Sequence, residues 1–94
     1  MARYRIIYWH HIPSVVEVRD GERILKEELS SRFQALIDRV AMRKKIIGEE
    51  AYIEGWRKGR FKERDGEAAA VAKAVVAETE ALYDEIAAQD LDGA

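Results

Sequence analysis

The residues with the clearest chemical potential stand together near the N-terminus, in the run Trp9-His10-His11-Ile12-Pro13. Histidine normally titrates near neutral pH, so His10 and His11 are candidates for proton transfer or ligand binding. Adjacent side chains on extended backbone point to opposite sides, which keeps the pair from converging on one metal ion. We therefore predict that one histidine closes a turn and the other is solvated. A ligand-binding or acid–base role for the pair is the alternative.

Large aromatic side chains form a second group of candidates. The chain has two Trp and four Tyr among only 94 residues, and an interior of this size hides few such rings. Core packing is the ordinary role of each Trp, but an aromatic ring left at the surface is a typical binding anchor. No catalytic and no metal-ligating residues are predicted. The predicted binding residues are Trp9, His10, His11, Tyr52 and Trp56.

A basic segment, Arg57–Arg64, contains five cations interleaved with Phe61. This pattern is typical of nucleic-acid binding, but it also describes an edge strand whose charges prevent aggregation. The chain has a net charge of −2, and salt-dependent nucleic-acid binding normally needs a basic domain. We therefore favour the charged edge strand and keep nucleic-acid binding as an alternative.

Composition and charge narrow the class of protein further. Residues 1–65 hold 15 Lys and Arg against 11 Asp and Glu, whereas residues 66–94 hold 1 against 7. No cysteine is present, which excludes disulfides and thiolate sites. Standard nucleotide-binding and hydrolase motifs are absent, so no cofactor is predicted. Since no apolar run approaches the length of a membrane span, we expect a soluble, cytoplasmic protein.

Periodicity predicts the elements that must position these residues. Arg3–Trp9 and Ser14–Arg19 are rich in aromatic and β-branched residues, as strands are. Asp20-Gly21 predicts a tight hairpin turn into a short, charged edge strand over Glu22–Glu27. Ala51–Glu63 is predicted as a long strand bent at a glycine, with a short helix as the alternative.

Two amphipathic helices complete the pattern. The first, capped by Ser30 or Ser31, has an apolar stripe at steps of three and four, and the last helix repeats this spacing. We therefore predict an α+β two-layer sandwich, a mostly antiparallel sheet of three to four strands with two helices on one face. The domain spans residues 1–89, followed by a disordered tail over residues 90–94. The stripes are Phe33, Leu36, Ile37, Val40 and Ala41, then Ala68, Ala72, Val75, Thr79, Leu82 and Ile86.

Taken together, scattered positions over residues 3–88 resemble a small bacterial family called virulence factor, also found as a domain of conserved virulence factor C proteins. The chain departs from the family pattern at two sites. His11 stands where Asp is usual, and Leu29-Ser30-Ser31 stands before Arg32-Phe33 where the family usually has Leu-Pro. The resemblance is based on Tyr8-Trp9-His10, Ile12-Pro13, Arg32-Phe33, Ile37-Asp38, Ala41-Met42, Ala51-Tyr52-Ile53-Glu54-Gly55-Trp56 and Asp65-Gly66.

The resemblance implies an accessory role in bacterial one-carbon metabolism, because similar stand-alone proteins are encoded beside folate- and corrinoid-linked methyltransferases. The residues and the resemblance together predict a non-enzymatic interaction module that docks on a larger protein partner or self-associates. The alternative is a ligand- or cofactor-binding enzyme subunit that uses His10 and His11.

Overall fold

The computed structural model describes residues 2–46 and 48–92 of the chain. Five strands and four helices follow in the order β1 (Ala2–Trp9), β2 (Ile12–Asp20), β3 (Arg23–Glu28), α1 (Ser31–Arg43), α2 (Glu49–Glu54), β4 (Trp56–Lys58), β5 (Lys62–Arg64), α3 (Ala68–Glu80) and α4 (Tyr83–Asp92).

The strands form one antiparallel sheet in the order β3-β2-β1-β4, with β5 also paired to β1. Strand β1 is therefore central, and β2 and β3 form a hairpin on one side of it. The predicted α+β architecture, an antiparallel sheet with helices packed on it, is confirmed. The sheet has five strands, one more than the predicted three to four, because the strand predicted over Ala51–Glu63 is divided into β4 and β5.

The turn between β2 and β3 forms where Asp20-Gly21 predicted it. Asp20 pairs with Arg23, so the loop consists of Gly21 and Glu22. Gly21 has a φ of 62°, a conformation that is open to glycine at little steric cost. Strand β3 lies at the end of the sheet order, which confirms the charged edge strand.

The core lies between one face of the sheet and the helices. Val16 and Val18 of β2 are fully buried and belong to one cluster with the apolar stripes of α1 and α3. All five predicted stripe residues of α1 are buried, as are Ala68, Ala72, Val75 and Thr79 of α3. Burying such stripes provides most of the stability of short helices.

Strand β2 begins earlier than predicted, because a bulge accommodates Pro13. Ile7 pairs with Val15 and Tyr8 pairs with Pro13, so Ser14 is an extra residue in β2. The Ser14 carbonyl instead accepts a hydrogen bond from the Leu29 N–H at 2.9 Å. A bulge changes the local twist of a strand, and here it lies shortly after the turn that contains His10 and His11.

The segment Ala51–Glu63 differs from the predicted long strand. Its first part is helix α2, which follows Gly48 (φ 96°) and ends at Gly55, while β4 and β5 continue along β1. The acidic residues Glu49 and Glu50 occupy the first turn, where they complement the helix dipole. The strand part breaks near Gly59, where an added Cβ would lie 2.9 Å from the Ile6 carbonyl oxygen.

The helix ends also differ in detail from the sequence pattern. Ser30 precedes α1 but makes no side-chain cap hydrogen bond, because its hydroxyl instead pairs with Glu80. The predicted last helix is divided by a turn at Ala81 and Leu82 into α3 and α4. The predicted disordered tail, residues 90–94, includes positions 93 and 94, which lie outside the described residues, and α4 extends to Asp92.

Candidate aromatic docking site

Four of the five predicted binding residues converge at one end of β1, although more than forty residues separate the two halves of the group in sequence. Trp9 is the last residue of β1 and His10 begins the turn that follows it. Tyr52 lies on α2 and Trp56 on β4. We call these four residues the aromatic cluster. Its ring centroids lie 4.3 Å apart for Trp9 and His10, 5.4 Å for Trp9 and Tyr52, and 6.1 Å for Tyr52 and Trp56.

Trp9 is the buried base of the aromatic cluster. Its side chain is 0% exposed and belongs to the hydrophobic core, so core packing describes this Trp. The indole N–H donates a hydrogen bond to the Tyr52 carbonyl oxygen at 2.8 Å. Gly55 packs directly against the indole, since an added Cβ would lie 2.5 Å from Trp9 Nε1. Trp9 therefore fixes the position of α2 relative to the sheet.

His10 holds the turn between β1 and β2. Its φ is 54°, a conformation that few non-glycine residues adopt but that histidine tolerates better than most. Two hydrogen bonds to the His10 backbone stabilise this conformation. The His10 N–H donates to the Gly55 carbonyl at 2.8 Å, and the Arg57 side chain donates from Nε to the His10 carbonyl at 2.7 Å. His11, partly buried, is the second residue of this turn.

The outer half of the aromatic cluster reaches the surface. Tyr52 and Trp56 are each partly exposed, and Ile53 between them is 57% exposed. Helix α2 buries none of its residues completely. The Tyr52 hydroxyl accepts a hydrogen bond from Gln34 of α1 at 3.3 Å, which gives the ring a defined position. Rings that are partly exposed and held in place are suited to contact another molecule.

A charged cluster lies on the sheet face opposite the helices. Arg3, Arg5 and Arg19 surround the Phe61 ring, with guanidinium carbons 5.1, 4.3 and 5.3 Å from its centroid. We call these three arginines the arginine face. Beneath them lies Glu17, only 2% exposed, whose carboxylate accepts hydrogen bonds from Arg5 and Arg19 at 3.2 and 2.9 Å. Lys26 Nζ lies 4.0 Å from the same carboxylate.

The charges around Glu17 decide its ionisation. Burial raises the pKa of this carboxyl, but the hydrogen bond from Arg19 and the positive charges of Arg5, Arg19 and Lys26 together lower it by more. The pKa of Glu17 therefore lies below its ordinary value. Glu17 is therefore held as a carboxylate at neutral pH.

A third polar network joins the start of α1 to the end of α3. Glu80 accepts hydrogen bonds from the Ser30 N–H and hydroxyl at 2.6 and 2.8 Å, and from Arg32 Nε at 3.1 Å. The Arg32 guanidinium also stacks on Tyr83, 4.4 Å from the ring centroid. Partial burial raises the pKa of Glu80, but these donors outweigh burial and the pKa is lowered.

The predicted basic segment is divided among different partners. Arg57 donates to His10, Arg64 pairs with Glu78 at 2.7 Å, and Phe61 packs under the arginine face. The segment therefore does not form one continuous basic stripe. The arginine face was not predicted from the sequence. A signal for it exists, because Arg3 and Arg5 have the two-residue spacing of one strand face, and so do Glu17 and Arg19.

Within residues 2–46 and 48–92, no group of three or more His, Asp or Glu side chains is placed to hold a metal ion. The helices of this part of the chain are all too short or too polar to cross a membrane.

The fold and the aromatic cluster define a small α+β domain with a rigid aromatic corner at one end of its central strand. The model of the Virulence factor family matches residues 7–91 of the chain. The chain belongs to this family, as the resemblance in sequence predicted. No curated protein and no solved structure matches the chain.

Proposed function

We propose that this domain is a non-enzymatic interaction module, which docks on a larger protein partner through the outer half of the aromatic cluster. The supporting observation is the contrast within that cluster. Trp9 is fully buried and hydrogen-bonded, whereas Tyr52 and Trp56 are partly exposed and Ile53, next to Tyr52 in the chain, is 57% exposed. Apolar side chains that are held in place before binding lose little conformational freedom on binding.

The charges around this surface indicate what the partner presents. Glu49, Glu50 and Glu54 are exposed on α2 beside Ile53, and together they form an acidic rim around an apolar centre. An interface with an apolar centre and a charged rim gains specificity from complementary charges. The partner surface is therefore an apolar pocket with Lys or Arg side chains at its edge.

The accessory role in folate- or corrinoid-linked methyl transfer is part of this proposal, and it rests on the family resemblance alone. The partner is then an enzyme of that metabolism. The function of this domain is to position or stabilise the partner and not to carry out a chemical step.

The test is affinity capture of the tagged protein from its native host. Wild type and Ile24→Ser should recover the same stoichiometric partner, because Ile24 is a similarly exposed apolar residue on the distant edge strand. Ile53→Ser combined with Trp56→Ala should lose that partner. Repeated recovery of the bare wild-type monomer, or equal capture by both variants, would contradict the proposal.

A second arm of the test addresses the alternative of a ligand-binding enzyme subunit. Pterins, corrinoids and divalent metals are titrated into the wild type and into His10→Asn/His11→Ala, in which Asn tolerates the positive φ of residue 10. Saturable binding that disappears in this variant would favour the enzyme subunit and would count against a purely non-enzymatic module.

A further inference from the structure

The sheet face opposite the helices has a like-charge arrangement that its own carboxylates neutralise only in part. Arg3 of β1 is the direct cross-strand partner of Arg19 of β2, and like charges in such a position destabilise a sheet. Glu17 compensates Arg5 and Arg19 through hydrogen bonds. Arg3 has Glu63 of β5 as its cross-strand partner on the other side, but the Arg3 side chain forms no hydrogen bond or ion pair with another described side chain.

The arginine face nevertheless has a fixed geometry. All three guanidinium groups lie within 5.3 Å of one Phe61 centroid, and stacking on an aromatic ring leaves the N–H edges of a guanidinium available. Arg19 uses only its Nε for Glu17, and its side chain is 39% exposed. Lys26, 60% exposed, adds a fourth cation beside them. The outward donors of Arg3 and Arg19 therefore face solvent side by side.

We propose that the arginine face binds an acidic peptide segment of a partner protein, with Glu or Asp carboxylates of that segment taking the free N–H donors of Arg3 and Arg19. Guanidinium groups match carboxylates in two-point hydrogen bonds. Glu17 illustrates this chemistry within the chain, since its carboxylate already binds two of the three arginines. This site lies apart from the aromatic cluster and does not depend on the function proposed for it.

Charge distribution favours a short acidic peptide over a nucleic acid. The chain has a net charge of −2, and residues 66–94 alone contribute −6, from 1 Lys against 7 Asp and Glu. The negative charge of residues 66–94 repels an extended polyanion that runs along the molecule. A short peptide is influenced mainly by the charges within a Debye length, which is about 10 Å at about 0.1 M salt. The local cations therefore determine binding of the peptide.

The test measures fluorescence anisotropy of a short labelled peptide of alternating Glu and Ser with the full chain at about 0.1 M salt. Arg3→Gln/Arg19→Gln should bind the peptide about fivefold more weakly than wild type, as expected for the loss of two exposed charge pairs. The matched control is Arg39→Gln/Arg43→Gln, which removes the same charge from exposed positions of α1, and its affinity should equal that of wild type. Arg3→Gln alone, which breaks no ion pair, serves if the double variant fails to fold.

Three results would overturn the inference. The peptide does not bind wild type saturably, the control weakens binding as much as the Arg3 variants do, or a single-stranded oligonucleotide of equal charge binds more tightly than the peptide. The first two results exclude the site, and the third assigns it to nucleic acid.

Discussion

At the scale of single residues, Glu17 is the clearest case of a side chain whose surroundings determine its chemistry. A carboxylate that is 2% exposed is stable only if charge and hydrogen bonds replace the water it has lost. Arg5, Arg19 and Lys26 provide these. The consequence is that three strands of the sheet, β1, β2 and β3, are joined on the face away from the hydrophobic core.

Replacing Glu17 by Gln should lower the free energy of unfolding by about 1–3 kcal/mol at neutral pH, because it removes the buried negative charge with which Arg5 and Arg19 pair. The lowered pKa of Glu17 also predicts the pH dependence. The folded state holds this proton more weakly than the unfolded chain does, so the stabilisation is present above the ordinary pKa of 4.5 and is lost as the pH falls through the lower folded value.

Urea unfolding of wild type and Glu17→Gln at ~pH 7 and ~pH 3 measures both effects. The gap between the two proteins should be large at the higher pH and should narrow in acid. Glu27→Gln, on the exposed edge strand, is the control and should follow wild type at both values. A gap that stays constant or widens in acid would contradict the role assigned to Glu17.

At the scale of elements, α2 and the turn of β1 and β2 are joined by contacts that leave no room for extra atoms. Gly55 allows the chain to pass from α2 into β4 while touching Trp9 and His10, at 2.5 and 3.0 Å from an added Cβ. Distances this short do not occur between real side chains, so the backbone or the indole must move if residue 55 gains a side chain. The aromatic cluster thus depends on a glycine.

Gly55→Ala is therefore expected to destabilise the fold by about 1–3 kcal/mol, the usual cost of overpacking a core. Thermal or urea unfolding measures it. Because the closest atom is the indole nitrogen Trp9 Nε1, at 2.5 Å from an added Cβ, and Phe has the smaller ring without this atom, the same change should cost less in a Trp9→Phe background. Equal costs in the two backgrounds would show that Gly55 is not constrained by the indole.

Most elements could be predicted from the sequence because their signals are local. The Asp20-Gly21 turn, the stripe from Phe33 to Ala41 and the β-branched runs all depend on near neighbours. The short helix was only the alternative for Ala51–Glu63, because two constraints of α2, the Trp9–Tyr52 hydrogen bond and the fit of Gly55, join positions more than forty residues apart. Tertiary contacts of this kind override local propensity.

The candidate site was predictable in its residues but not in its arrangement. Residue type alone identified Trp9, His10, Tyr52 and Trp56, and the fold brings these four together. Which indole is buried depends on what packs over it, and the sequence pattern treats the two alike. The arginine face was missed because it depends on the register between β1 and β2, which pairs Arg3 with Arg19. The bulge at Ser14 lies nearer the turn and leaves this pair in register.

At the scale of the whole molecule, the domain separates its surfaces by chemistry. Helices α1 and α3 cover one side of the sheet, arginines occupy the other, and the aromatic cluster lies at one end of the central strand. The proposed docking surface and the proposed peptide site therefore use different regions. A partner that engages one leaves the other accessible, and variants of each should act independently.

The central claim is that the aromatic cluster has one enclosed and one accessible indole. Acrylamide quenching tests it directly, because Trp9 and Trp56 are the two tryptophans of the chain. Trp56→Phe should leave an emission that acrylamide quenches only weakly, since Trp9 is fully buried, whereas wild type should show an additional, readily quenched component from Trp56. Strong quenching of Trp9 in Trp56→Phe, or the absence of an accessible component in wild type, would contradict the account.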